Sequence, residues 1–269
     1  MVKKIWPMDL KEKNMTEMIV YEHPLNETIR LCLRLEYLFK QLDYYIERES
    51  GWDTRVALHA LLEILGVIER PDLKNKLAQI LNQYVSFFSH LGKSADIDKK
   101  ALANTLEQLH KAINEVHTSP GKIGQELREN EFLIPIQQRM TTPAGTCAFS
   151  APAYYLWLHQ PSALRLKTLS LWLDSFLPLQ GVIDLILQLT RASAQIETQV
   201  AKSGFYQTNL DPNISYQMIS IGLAVKEKLY PEISVGRYRL TVHFFELNTR
   251  DRAHQTAYDV SFKLSCCRI

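Results

Sequence analysis

Apolar residues recur at three- and four-residue intervals through most of the first half of the chain. The clearest example lies within 98–117 and consists of Leu102, Leu106, Leu109, Ile113 and Val116. This spacing places the apolar side chains on one face of an α-helix. Similar patterns predict helices over 25–48, 54–70 and 72–91, and a further helix is expected around 121–140. The repeat also fits a coiled-coil partner, but it lasts little more than two heptads, which favours an antiparallel bundle.

The pattern changes after residue 140. The stretches CAF and YYLWLH read as short strands, and 162–201 returns to a helical pattern. The tail from 203 is predicted to form the strands GFYQTNL, ISYQMISIGLAV, GRYRLTVHFFELN and AYDVSFKLS. The last two predicted strands are GRYRLTVHFFELN and AYDVSFKLS. Tyr238, Leu240, Val242 and Phe244 alternate in the first, and Tyr258, Val260, Phe262 and Leu264 alternate in the second. These two strands are therefore expected to form a hairpin with one buried face.

The predicted fold class is α+β, with a helical bundle domain and an interleaved, mainly antiparallel β-sheet domain. The helical domain is predicted to comprise 24–140 and 162–202. The β-strand domain is predicted to comprise 17–23, 145–160 and 203–266. The segment 1–14 contains four lysines and little apolar periodicity, so it is expected to be a disordered extension.

Composition excludes several classes of function. The net charge of +2 creates no strong overall attraction for nucleic acid or membranes, so an acidic partner would need a local basic patch. No apolar run approaches the ~18 residues of a membrane helix, and direct membrane insertion is not expected. Four cysteines without an export signal indicate reduced thiols and a cytoplasmic location.

Sequence motifs for catalysis are not found. The chain has no G-x-G-x-x-G, G-x-x-x-x-G-K-[ST], H-E-x-x-H or G-x-S-x-G motif, and its histidines are scattered. Glu22-His23-Pro24 contains an acid beside an imidazole, but proline favours the first position of a helix and the residue before it is extended. Glu22 and Glu27 are expected near the positive end of that helix. We therefore expect no enzyme activity, no metal site and no cofactor.

One predicted strand is basic on its outward face. The outward positions of GRYRLTVHFF are expected to be Arg237, Arg239, Thr241 and His243, and Arg250, Arg252 and His254 follow in the next loop. Apart from Asp259, which opposes this face in the predicted hairpin, no matching acids are expected on it. The pattern fits a solvated sheet face, and it also fits a face that holds an acidic peptide or a phosphate chain.

An ordered set of segments resembles the ZapD family of cell-division proteins, over nearly the whole chain from about Met15 onward. The segments are YEHPLNETIRLCLRLEYL, LEILGVIER, IGQELRENEFL, PAGTCAFSAPAYYLWLH, SGFYQTN, LYPEIS and DVSFKLSCC. The resemblance implies a symmetric homodimer with a helical domain and a β-domain. It also implies a non-enzymatic protein that binds the C-terminal tail of FtsZ, the tubulin-like division GTPase, and bundles its filaments in the midcell division ring.

The resemblance also implies a basic pocket between the two domains that receives the tail. By position, the chain supplies Arg70 and Arg239 to this pocket. The next family arginine falls at His243, which is only partly charged near neutral pH. Either Arg237 takes its place, or the tail is held more weakly. Pro71 is a second departure, which affects how Arg70 projects.

Two other functions fit parts of the sequence. A nucleic-acid-binding module would use the same basic strand, but the aromatic side chains of that strand are expected to point inward, unlike those of an RNA-recognition sheet. A hydrolase with a site near Glu22-His23 has no supporting third residue. The FtsZ-binding interpretation is preferred to both, without nucleic acid as a partner.

Overall fold

The computed structural model describes residues 18–70, 72–92, 98–118 and 123–269. These residues form two compact units. The helical unit spans 31–186, and the sheet unit combines the described residues up to Arg30 with 187–269. The predicted α+β class is confirmed. The predicted extension 1–14 lies outside the described residues.

Most of the helices belong to the helical unit, although α1 begins and α9 ends in the sheet unit. Their bounds are α1 (Glu27–Ile46), α2 (Gly51–Val67), α3 (Leu73–Leu91), α4 (Lys99–Thr118), α5 (Gln125–Arg128), α6 (Leu133–Met140), α7 (Pro152–Leu158), α8 (Ser162–Asp174) and α9 (Leu177–Ala192). The four long helices predicted before residue 118 are confirmed within a few residues. Leu35, Leu61, Leu77 and Leu109, one from each of them, are fully buried.

The first helix begins later than its sequence indicates. Pro24 is the last residue of a strand, and the side chain of Asn26 accepts a hydrogen bond from the Ile29 backbone N–H at 2.8 Å. Asparagine is a preferred N-cap because its side-chain oxygen satisfies a free N–H of the first turn. The prediction that Pro24 occupies the first helical position is therefore wrong.

Three predictions between residues 121 and 201 are wrong. The expected single helix around 121–140 is two short helices, because Asn130 interrupts it and its side chain accepts from the Leu133 N–H at 3.1 Å. The strands expected within 145–160 are turns followed by α7, which Pro152 starts. The predicted helix over 162–201 is α8, α9 and a strand.

The sheet unit contains two antiparallel sheets. Its strands are β1 (Met18–Pro24), β2 (Ile196–Ala201), β3 (Phe205–Asn209), β4 (Tyr216–Ala224), β5 (Leu229–Val235), β6 (Arg239–Glu246) and β7 (Val260–Arg268). One sheet has the order β1-β4-β7-β2, and the three-stranded sheet has the order β3-β6-β5. The inner faces share one core, in which the rings of Phe244 and Phe262 are 5.0 Å apart.

The predicted hairpin of the last two strands is wrong. β6 pairs with β3 and β5, whereas β7 pairs with β4 and β2 in the other sheet. The alternation identified the buried residues Leu240, Val242, Phe244, Val260, Phe262 and Leu264. It carried no information about strand partners, because an inward-facing pattern is the same whether two strands pair or face each other across a core. Tyr238 and Tyr258, predicted to point inward, are 55% and 73% exposed.

A tight turn carries the chain from one sheet to the other between β2 and β3. Ser203 and Gly204 both have positive φ, at 47° and 71°. A Cβ atom on residue 204 would lie 2.7 Å from the backbone oxygen of Thr256, so the turn requires glycine there. This turn places Phe205 at the start of β3, beside the middle of β6.

Candidate functional site

The outer face of the three-stranded sheet contains two of the four predicted site residues, Arg239 and His243. β6 is its central strand, with Leu240, Val242 and Phe244 buried on the inner side. Successive side chains of a strand point to opposite faces, so Arg239, Thr241, His243 and Phe245 lie on the outer side. The sequence prediction for this alternation is confirmed at Arg239, Thr241 and His243, whereas Arg237 lies in the turn before β6.

Residues directly opposite one another in antiparallel strands share a face, which defines the neighbours of β6. Phe205 and Glu232 flank His243, and Gln207 and Ser234 flank Thr241. Phe205, Gln207, Asn209, Glu232 and Ser234 are all exposed. The outer face is therefore open to solvent along both edges of the three-stranded sheet.

An arginine-lined hollow lies at the β5–β6 turn. Its volume is about 410 Å³, and its lining residues are Ser234, Gly236, Arg237, Tyr238, Arg239 and Thr241. The Gly236 N–H donates to the Arg239 backbone oxygen at 2.9 Å, which closes the turn. The guanidinium of Arg237 lies 5.2 Å from the centre of the Tyr238 ring. Within the described ranges, neither Arg237 nor Arg239 forms an ion pair with a carboxylate.

His243 has a different environment from the arginines. Its Nδ1 is 2.9 Å from Gln255 Oε1, and Gln255 Nε2 donates to the Ser203 backbone oxygen at 3.0 Å. The second bond orients the Gln255 amide so that its oxygen faces the imidazole, and Nδ1 therefore carries the proton. The ring packs 5.0 Å from that of Phe205. Four residues of strand, about 13 Å, separate His243 from Arg239.

The outer face differs from its prediction in charge and in aromatic content. Glu232 lies opposite His243, so the expected absence of acids on this face is wrong, and Asp259 instead pairs with Lys202 at 2.6 Å. Phe245 stacks on Tyr230 at 5.8 Å on the outer side, so the expectation that the aromatic residues of this strand point inward is also wrong. Successive side chains of a strand point to opposite faces, so the ring of Phe244 points inward and the ring of Phe245 points outward.

Arg70 belongs to the helical unit, whereas Arg237, Arg239 and His243 belong to the sheet unit. Arg70 is exposed and follows the end of α2, and its backbone oxygen accepts from the Leu73 N–H at 3.3 Å. A hydrogen bond from Lys76 lowers the pKa of the neighbouring Asp72, and the charge of Arg70 contributes to the same shift.

In the stretch Glu22-His23-Pro24, the acidic side chain makes a structural contact. The Glu22 carboxylate is bound by Arg191, with Oε1–Nε and Oε2–Nη2 distances of 2.7 and 2.8 Å. Burial and then the charge of Arg30 lower the pKa of His23. The structure, over the ranges it describes, contains no group of three or more histidine, cysteine, aspartate or glutamate residues placed to hold a metal ion.

No single helix in the described ranges is long and apolar enough to cross a membrane. Helices α8 and α9 reach that length and composition only as a pair, and they are bent by 62° where they meet. Helices buried in a protein core often have the same composition.

Comparison with known proteins gives a consistent result over almost the entire chain. The family model described as "ZapD: Cell division protein" matches residues 33–243. The cell division protein ZapD of Coxiella burnetii (strain RSA 493 / Nine Mile phase I) is 43% identical over 253 residues, covering 93% of this chain and 98% of the relative. The cell division protein ZapD of Methylococcus capsulatus is 36% identical over 253 residues, covering 94% and 99%.

A third relative, the cell division protein ZapD of Aromatoleum aromaticum, is 36% identical over 251 residues, covering 93% of this chain and 98% of the relative. Matches of this extent and identity establish common descent. The chain belongs to the ZapD family of cell division proteins, and its role is in cell division.

Proposed function

We propose that this protein binds the C-terminal tail of FtsZ and, as a homodimer, crosslinks FtsZ filaments in the cytoplasm at the midcell division ring. The observation that carries the proposal is the arginine-lined hollow, where Arg237 and Arg239 lie together on an exposed surface. Arg70 and His243 are the further proposed contacts. The protein acts by binding, without catalysis, a cofactor or insertion into a membrane.

Arginine suits the recognition of an acidic peptide. Its planar guanidinium donates two parallel hydrogen bonds to a carboxylate, and it stays charged at every physiological pH. A hydrogen bond to a charged group contributes roughly 1.5–3 kcal/mol. Since Arg237 and Arg239 form no ion pair within the described ranges, an incoming carboxylate has no internal acid to displace there.

The stacking of Arg237 on Tyr238 supports the same role. A cation held over an aromatic ring loses less conformational freedom when it binds a ligand than a fully mobile side chain does. The hollow of about 410 Å³ has room for a carboxylate side chain with its neighbouring backbone.

Crosslinking follows from two such sites on one dimer. A disordered tail becomes ordered when it binds, which keeps the affinity of one site modest. A filament presents many tails at high local concentration, so the second site of a bound dimer engages a neighbouring filament as an effectively intramolecular event. Bundling is then strong although each contact is weak.

Co-sedimentation with FtsZ filaments tests the proposal. The protein is expected to pellet with polymerised FtsZ and to increase the pelleted bundles at low centrifugal force. It should remain in the supernatant with FtsZ that polymerises normally but lacks its C-terminal tail. Equal pelleting with both filaments would show that the tail is not the binding determinant.

A further inference from the structure

The imidazole of His243 has one ring nitrogen bound within the protein and one left for a ligand. Its Nδ1 donates to Gln255 Oε1 at 2.9 Å, and Nε2 of Gln255 donates to the Ser203 backbone oxygen at 3.0 Å. The Phe205 ring packs 5.0 Å from the imidazole. Within the described ranges, Nε2 of His243 has no hydrogen-bond partner. These contacts hold the ring in place and leave Nε2 as its reactive position toward a ligand.

The bond to Gln255 decides what Nε2 of His243 offers. A neutral imidazole has one N–H and one lone pair, so a proton at Nδ1 leaves the lone pair at Nε2. That lone pair repels a carboxylate oxygen, which is itself an acceptor. The protonated ring keeps its Nδ1–H and gains an Nε2–H, which donates a charge-assisted hydrogen bond to a carboxylate. One proton therefore converts this nitrogen from an acceptor into a donor.

We infer that His243 is a proton-dependent contact of the FtsZ-tail site, and that its Nε2–H binds a carboxylate of the tail only when the imidazole is protonated. The inference rests on the proposed function, because the ligand is the tail. It adds that binding strengthens as the pH falls through the range of about 5 to 8, where histidine changes its charge. A C-terminal tail ends in an α-carboxylate, so a group of the required chemistry is present whatever its side chains are.

The position of His243 on β6 suits a second contact beside the arginine-lined hollow. About 13 Å of strand separates His243 from Arg239, a distance that an extended peptide covers in about four residues. Arg237 and Arg239 stay charged at every physiological pH. The hollow therefore supplies the part of the affinity that does not depend on pH, and His243 supplies the part that does.

The charged groups around His243 leave its Nε2 available to the tail. Glu232 of β5 lies opposite it and is exposed, but no ion pair joins the two within the described ranges. At the turn after β2, Lys202 pairs with Asp259 at 2.6 Å, and Asp259 also accepts from the Ser203 N–H at 3.0 Å. The residues of β3 and β6 that lie beside His243 on the outer face are uncharged. A carboxylate of the tail thus displaces no internal partner of the imidazole.

Titration at two pH values tests the inference. A peptide with the C-terminal tail sequence of the cognate FtsZ carries a rhodamine label, whose emission does not depend on pH. It is titrated into the full chain at about pH 6 and about pH 8 at constant ionic strength and followed by fluorescence anisotropy. The unmodified protein is expected to bind at least about threefold more tightly at the lower pH, because a charge-assisted hydrogen bond replaces a repulsive contact. Circular dichroism at both pH values checks that each protein is folded.

Variants of His243 assign the pH dependence to this residue. His243→Gln is expected to bind with the same affinity at both pH values, since its amide does not titrate. His243→Arg carries a permanent charge and is expected to bind at the higher pH as tightly as at the lower one. His110→Gln is the matched control, because His110 is an exposed histidine of α4 and not a proposed contact. This variant should keep the pH dependence of the unmodified protein.

Gln255→Met tests the position of the proton. Without the amide oxygen, the neutral ring of His243 can carry its proton on Nε2 and donate to a carboxylate at the higher pH. This variant is therefore expected to bind more tightly than the unmodified protein at about pH 8, with a smaller ratio between the two pH values. An equal loss of affinity at both pH values would overturn the role of Gln255 in setting the proton.

A tail peptide with a C-terminal amide identifies the carboxylate. A lost pH dependence assigns the terminal α-carboxylate to His243, and a retained one assigns a side-chain carboxylate. Equal affinity of the unmodified protein at both pH values, or the same pH dependence in His243→Gln, would overturn the inference while leaving tail binding in place. Failure of the unmodified protein to bind the tail at either pH would overturn the proposed function, and this inference with it.

Discussion

Glu22 and Arg191 form a bidentate ion pair with two hydrogen bonds, which joins β1 to the last turn of α9. The Glu22 Oε1 and Oε2 atoms lie 2.7 and 2.8 Å from Nε and Nη2 of Arg191, and each side chain is only 20% exposed. The positive charge also lies at the favourable, C-terminal end of α9. The acid that begins the Glu22-His23-Pro24 stretch is therefore part of the structural framework of the sheet unit.

Replacing Glu22 by Gln is expected to lower the free energy of unfolding by about 1.5–3 kcal/mol, because a charge-assisted pair is lost and Arg191 stays partly buried. Urea unfolding measures the change. Glu27→Gln is the matched control, since its pair with Arg30 is about 40% exposed and contributes roughly 0.5 kcal/mol or less. Equal losses in the two variants would contradict the structural role of Glu22.

His23 makes stability depend on pH. Burial and the charge of Arg30 lower its pKa below 6.5, so the unfolded chain takes up a proton at a higher pH than the folded protein does. The contribution of His23 to stability is therefore present above about pH 6.5 and is lost as the pH falls toward its folded pKa. Between pH 7.5 and 5.5, the unmodified protein should lose more stability than His23→Gln does. A parallel pH dependence of the two melting temperatures would contradict this assignment.

The cysteines differ in reactivity because burial controls their ionisation. Burial, with a smaller contribution from Glu36, raises the pKa of Cys32 to about 12, and burial followed by Glu22 raises that of Cys267 to about 12. Burial also raises the pKa of Cys266. Only Cys147, which lies in a turn, is expected to react quickly with a thiol reagent at pH 8. Rapid labelling of the native Cys147→Ser variant would contradict these environments.

The homodimer is expected to form through the helical unit. Tyr37, Trp52 and Leu171 belong to this unit and are 69%, 75% and 63% exposed, so their apolar surface is available to a partner. Light scattering at micromolar concentration should give twice the mass of the chain. Arg239→Glu should leave that mass unchanged, because Arg239 belongs to the sheet unit. A monomeric mass for the unmodified protein would contradict the crosslinking mechanism.

The sequence predicted the elements that have a strong periodicity and a long extent. α4 was predicted almost to the residue, because Leu109 and Val116 belong to an unbroken four-three pattern. The segment YYLWL was predicted as a strand but is helical, because so short an apolar run fits a strand or a helix equally well. In the structure, Tyr154 of this segment is buried while Tyr155 and Leu156 are exposed, as a helix requires.

The candidate site was predicted in part. The alternation along β6 identified Arg239 and His243 as outward residues, since this depends only on the geometry of one strand. Glu232 and Tyr230 were missed, because β5 was not predicted as a strand and Pro231 weakens its strand pattern. Which residues lie opposite one another depends on which strands pair. The alternation within one strand does not specify its partner strand.

We proposed Arg70, Arg237 and Arg239 as contacts of the FtsZ tail, and one titration tests each of them directly. The labelled tail peptide is added to the unmodified protein and to Arg70→Glu, Arg237→Glu, Arg239→Glu and Arg250→Glu at two salt concentrations. Arg250 lies in the loop after β6, outside the arginine-lined hollow, and serves as the charge-matched control.

Loss of one charge-assisted contact corresponds to roughly tenfold or more in affinity, and reversal of the charge adds repulsion. Binding to the unmodified protein and to Arg250→Glu should weaken as salt rises, because exposed charges are screened. Arg70→Glu, Arg237→Glu and Arg239→Glu should each bind at least about tenfold more weakly while remaining folded. Unchanged affinity in both Arg70→Glu and Arg239→Glu would contradict the account.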